Sequence, residues 1–222
     1  MRAKEERKVT TFVLVHGAWH GGWCWQRVTD RLRARGHDAF APTLTGLGER
    51  AHLLHPGINL SLHIADVLGT IHSERLTDFV LVGHSYGGCV ISGLAEAVPK
   101  AIRCIVFLDA FVPANGDAMI DLVQPAVQEI IQGVLERGET TVPVRDAAAF
   151  KVNEKDRAWV DSLAVPQPLA TMTEKISLTG ARERIAKKIY IRAAGYPNRS
   201  FTVEILRDGK ALEVKVVLSR RP

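Results

Sequence analysis

Short apolar runs alternate with amphipathic stretches through the first half of the chain. Residues 9–15, VTTFVLV, form a β-rich run that ends at HGAWHGGW. WQRVTDRLRARG then places Trp25, Val28 and Leu32 on one helical face, with Gly36 as a C-terminal stop. HDAFAPTL predicts a second strand that ends in the turn-forming TGLGER. Ile64, Val67, Leu68 and Ile71 recur at helical spacing in SLHIADVLGTIHSERL, with Asn59 or Ser61 as N-cap. DFVLV reads as a continuous apolar strand, GGCVISGLAEAVP as a helix closed by Pro99, and AIRCIVFLDAF as another buried strand.

Strands that are apolar throughout are buried on both faces, and their alternation with helices predicts the fold class. We expect an α/β protein with a mostly parallel sheet and helices on both faces. From 114 to 180 the pattern changes to helical stretches such as AMIDLVQPAVQEIIQGVLERG and irregular ones such as VPQPLATM, with no strand. This segment predicts a helical cap inserted within a single domain spanning 1–222. KKIYIRAA (187–194) resumes the strand pattern, and LEVKVVLS (212–219) supplies a last strand before RRP.

Composition narrows the class without naming a chemistry. The 222 residues suffice for one domain with a proper core, and no apolar run approaches a membrane span. MRAKEERKV precedes no apolar signal region, so a cytoplasmic protein with no membrane partner is expected. The three cysteines, Cys24, Cys89 and Cys104, lack metal-ligand spacing and read as reduced, mostly buried thiols. The net charge of +5 comes from basic residues interleaved with acids, which argues against a nucleic-acid partner.

The chemistry is concentrated in LVGHSYGGCV, 81–90. Gly83-His84-Ser85-Tyr86-Gly87 fits G-x-S-x-G between an apolar strand and a helix. A strand that becomes a helix within so few residues strains the serine and needs small neighbours. Ser85 would project above the sheet at a helix N-terminus, where N–H groups favour developing negative charge.

HGAWHGGWCW, PTLTGLGER, VLVGHSYGG, FLDAFVP and PQPLATMTEKISLTG together resemble the α/β-hydrolase superfamily. The likeness runs from about residue 9 to about 201 and is closest to small bacterial esterases akin to plant methylesterases and hydroxynitrile lyases. The resemblance implies Ser85 as nucleophile and the backbone N–H groups of Ala18 and Tyr86 as oxyanion donors. Gly17 stands where the lyases usually carry threonine, which favours ester hydrolysis over cyanohydrin cleavage. The implied substrate is a small, largely apolar ester held beneath the cap, with no metal or organic cofactor. His20 is a pocket candidate, and Phe111 is either a pocket wall or ordinary core.

Acid and base depart from the family pattern. The relatives' acid follows the strand that KKIYIRAA resembles, but GYPNRSF carries no carboxylate. Asp109 is the substitute, ending the strand next to the serine's; its alternative role is to cap the following turn. All eight histidines lie at or before position 84, whereas relatives place the base after the final strand. Hence we expect a chain that lacks that histidine turn and the closing helix, with a second copy covering the face left bare. His20 is the foremost surrogate base, and a catalytically silent small-molecule binder is the competing expectation.

Overall fold

The computed structural model describes residues 9–192 and the backbone of two strands, Ser200–Arg207 and Lys210–Val217. The strands in chain order are β1 (Thr11–Val15), β2 (Asp38–Phe40), β3 (Phe79–His84), β4 (Ile102–Leu108), β5 (Thr141–Val142), β6 (Gln167–Pro168), β7 (Lys188–Arg192), β8 (Ser200–Arg207) and β9 (Lys210–Val217). The α-helices are α1 (Gln26–Arg33), α2 (Leu60–Ser73), α3 (Gly87–Ala97), α4 (Met119–Leu122), α5 (Pro125–Glu136), α6 (Glu154–Leu163) and α7 (Ala170–Thr173).

The main sheet has the order β2-β1-β3-β4-β7-β8-β9. Its first five strands run parallel, as apolar strands joined by helices require. Alternate side chains of those strands feed two separate cores. Val13, Val15, Leu81, Ile105 and Phe107 pack with α2, α3 and the cap. Leu14, Val82, Cys104 and Val106 point the other way, under Trp25 and Leu32. Cys89 and Cys104 are buried, Cys24 is half-buried, and all three thiols are free.

Three local expectations need correction. On α1 the buried face runs through Trp25 and Thr29, while Val28 is 39% exposed. The helix begins after Trp25, and of the two positions that flank Trp25 on the next turn, Val28 and Thr29, the structure buries Thr29. The segment 114–180 does contain strands, since β5 and β6 pair antiparallel as a two-residue ribbon. The third concerns the sheet's far edge, where β7, β8 and β9 form an antiparallel meander. Here β9 overlaps LEVKVVLS, but β8 was not anticipated, although Asp208-Gly209 separates two alternating runs in the sequence. GYPNRSF lies outside the described residues up to Arg199, as does the chain beyond Val217.

The N-cap of α2 is Asn59, whose side chain accepts from the Leu62 N–H. No helix among the described residues is long and apolar enough to cross a membrane.

Candidate functional site

Three adjacent parallel strands, β1, β3 and β4, deliver the candidate residues to one edge of the sheet. Of the six non-glycine residues with positive φ among the described residues, three follow these strands: Trp19 (63°), Ser85 (51°) and Asp109 (45°). A left-handed conformation is costly for a side-chain-bearing residue, and such strain gathers at functional sites.

Ser85 sits between β3 and α3, and its neighbours show why the turn needs glycine. A Cβ on Gly83 would lie 2.6 Å from the Gly87 carbonyl oxygen, and one on Gly87 would lie 2.8 Å from those of Val15 and His16. One on Gly88 would lie only 2.0 Å from the Phe111 carbonyl oxygen. Backbone therefore approaches backbone on every side of the bend. Ser85 is also held by its main chain: its carbonyl accepts from the N–H groups of Gly88 (2.9 Å) and Phe111 (3.1 Å).

The loop after β1 comes against the serine through Gly17. A Cβ there would be 3.1 Å from both Ser85 Cβ and His84 Nδ1. Ala18 follows directly and is buried. Neither its amide N–H nor that of Tyr86 has an acceptor among the described residues. Two N–H groups beside a strained serine make a site for developing negative charge.

Four histidines surround this edge, and burial lowers the pKa of each. The His16 Nε2 accepts from the Leu44 N–H (3.1 Å), so its proton is on Nδ1, directed at the Gly17 carbonyl (2.8 Å). Burial takes it down to about 3. His63 donates from Nε2 to the Thr45 carbonyl and accepts at Nδ1 from the Tyr86 hydroxyl, both at 2.9 Å. Burial brings it to about 4, against a smaller upward pull from the Thr45 hydrogen bond. His84 is brought to about 4 by burial and by nearby His20, with Asp109 opposing. His20 is lowered by burial; its Nδ1 donates to the Ala18 carbonyl (2.7 Å), and its ring stacks on Trp23. All four are thus neutral imidazoles at pH 7.

The structure joins Phe111 to Ser85 through the main chain and brings the Gly17-Ala18 loop against the serine, while His20 bonds to the Ala18 carbonyl near His84. Phe111 is half-buried and packed against the main core, with its backbone anchored to Ser85. Asp109 lies at the same edge, exposed, with its N–H donating to the Ile191 carbonyl (2.7 Å). Its carboxylate has no hydrogen-bond partner among the described residues. His37, His52, His55 and His72 lie away from the crevice on half-buried or exposed positions. No group of three metal-ligating side chains occurs among the described residues.

Several contributors escape sequence reasoning. His63 anchors Tyr86 from α2. Asp66 accepts from the Thr45 N–H (2.7 Å) and hydroxyl (2.8 Å) and from Arg50 (3.0 Å), fastening the TGLGER turn. Gln167, fully buried in the cap, accepts from the Trp19 N–H at 2.9 Å. The one available signal was polarity at helix positions otherwise apolar, which placed His63 and Asp66 on or beside the buried face of α2.

A strained serine where a parallel strand turns into a helix, beside two amides with no acceptor among the described residues, fits a hydrolase architecture. Residues 12–214 match the Alpha/beta hydrolase family, and the chain belongs to it. That match extends past residue 201, where the motif likeness ended. Among curated relatives, the carbendazim hydrolyzing esterase of Nocardioides sp. (strain SG-4G) is 42% identical over 214 residues, covering 91% of this chain and 88% of its own. Methylesterase 1 of Arabidopsis thaliana is 38% identical over 120 residues, covering 49% of this chain and 42% of its own. Among solved structures, an extracellular α/β-hydrolase from a Paenibacillus species aligns with a TM-score of 0.73 at 27% identity, covering 82% and 76% of the two chains. It is described as sharing structural and functional homology with tobacco salicylic acid binding protein 2.

Proposed function

We propose that the chain hydrolyses small carboxylic esters through an acyl-enzyme on Ser85. The observation that carries this is the strained serine beside the unbonded amides of Ala18 and Tyr86. Ser85 Oγ attacks the carbonyl carbon, and the two amides receive the oxyanion. The serine proton passes to a neutral imidazole, and His20 and His84 are the two beside the crevice. His20 holds its Nδ1 proton on the Ala18 carbonyl, which leaves the Nε2 lone pair for the incoming proton. Asp109 supplies a negative charge that favours an imidazolium at His84, the neighbour of the serine. The tetrahedral adduct collapses with loss of the alkoxy group, which takes the imidazolium proton and leaves as alcohol; water then attacks the acyl-enzyme, releasing the acid and restoring the serine hydroxyl. Phe111 and His20 flank the acyl group beneath the cap, and carbendazim, named in the relative with 42% identity, is a substrate to try.

A fluorophosphonate probe should label the wild type and not Ser85→Ala; equal labelling of both removes Ser85 as nucleophile. A second reading, binding without turnover, is favoured by one feature: no imidazole among the described residues hydrogen-bonds to Ser85 Oγ. With p-nitrophenyl acetate, sustained turnover supports the hydrolase. A burst near one equivalent followed by negligible release supports the silent binder.

A further inference from the structure

We infer that Gln167 of the cap is a positioning residue that sets the orientation of the Ala18 amide, so the cap builds half of the oxyanion site as well as covering it. This rests on the reading of Ser85 and Ala18 given above.

Trp19, directly after Ala18, has a positive φ of 63°, a conformation that must be held from outside. Every polar group it owns is bound to the cap. Its N–H donates to Gln167 Oε1 (2.9 Å), its carbonyl accepts from the Val165 N–H (3.0 Å), and its indole Nε1 donates to the Val142 carbonyl (3.2 Å). Those three partners come from β5, β6 and the residues just before β6, which explains why a two-residue ribbon exists there at all. The Trp19 N–H lies in the peptide plane that links Ala18 to Trp19, next to the plane that carries the Ala18 N–H, so the bond to Gln167 fixes the Ala18 ψ angle and limits how far the preceding plane can turn.

Gln167 is itself locked. Its Nε2 donates to the Thr171 hydroxyl (2.7 Å), which donates in turn to the Pro168 carbonyl (2.6 Å). That leaves only one orientation of the amide in which Oε1 can accept from Trp19. Tyr86, the residue that carries the second amide, is held separately, its hydroxyl donating to His63 Nδ1 (2.9 Å). Trp19, Gln167, Thr171 and the Pro168 carbonyl thereby form one buried chain of polar groups. Such a chain has high stakes, because an unpaired buried donor is costly and relieves itself by turning the peptide.

The test compares fluorophosphonate labelling rates and steady-state hydrolysis in Gln167→Leu, Gln167→Glu and the wild type. Gln167→Leu removes the acceptor, and kcat and the labelling rate should fall about 10- to 100-fold while KM stays within about twofold. Gln167→Glu keeps an acceptor for Trp19 and should recover at least about half of that loss on a logarithmic scale. A merely structural role would lower thermal stability in both variants without this split. If folded Gln167→Leu labels at the wild-type rate, the inference is overturned. Thr171→Val, which frees the Gln167 amide to turn, covers the case in which Gln167→Leu does not fold. Labelling slowed about threefold or more supports the clamp, and an unchanged rate overturns it. Absence of labelling in the wild type overturns the Ser85 reading and this inference with it, which separates the two failures.

Discussion

Acidification from pH 7 to pH 5 is expected to remove at least about 4 kcal/mol of folding stability, which His16 and His63 alone account for, with His84 and His20 titrating in the same direction. His16 and His63 are fully buried, and each uses a ring lone pair to accept a proton from the protein interior. Their folded pKa values lie at about 3 and about 4, against 6.5 for a solvated imidazole. As pH falls through 6.5 the unfolded chain takes up both protons, while the folded chain takes up neither until far lower. The unfolded state thus binds more protons across that window, so stability is present above pH 6.5 and drains away as pH falls.

Between pH 7 and pH 5 each histidine accounts for about 2 kcal/mol, a figure insensitive to the folded value while that stays below about 4.5. The sum is a large part of a net stability of about 5–15 kcal/mol. Urea unfolding at the two pH values measures it directly, with the slope m checked for constancy. His63→Gln abolishes one titration and should remove about 2 kcal/mol of the pH dependence, whatever it does to stability at pH 7. Equal unfolding free energies at pH 7 and pH 5, or an unchanged pH dependence in His63→Gln, would refute the reasoning.

Two further outcomes probe the bend and its neighbour. Gly88→Ala drives a methyl into the Phe111 carbonyl, backbone against backbone, and should cost about 3 kcal/mol or more; a wild-type Tm would contradict the tight approach. Asp109→Asn should leave far-UV circular dichroism intact while lowering p-nitrophenyl acetate turnover about 10³- to 10⁴-fold, and a drop below about tenfold would remove Asp109 from the reaction.

The fold's parallel half was legible in the sequence because burial on both faces leaves uninterrupted apolar runs, and β1, β3 and β4 fall where those runs are. The bend at Ser85 was legible for a related reason: three glycines around one serine are demanded by backbone contacts that no side chain could tolerate. The antiparallel edge was overlooked, although Asp208-Gly209 marked it. Val28 was misplaced because spacing from Trp25 does not choose between i+3 and i+4, and packing buries Thr29 instead.

By itself, the sequence determined the strand order's apolar framework, the strained serine and the amides expected beside it, since these depend on local spacing and on residues close in the chain. Only the tertiary structure decided which distant groups hold them in place. Gln167 meets Trp19 across 148 positions and His63 meets Tyr86 across 23, and hydrogen bonds over such separations leave no periodic trace along the chain. Their partners are selected by the packing of the cap and of α2 against the sheet, where a buried polar group must find whatever acceptor or donor the fold brings to it.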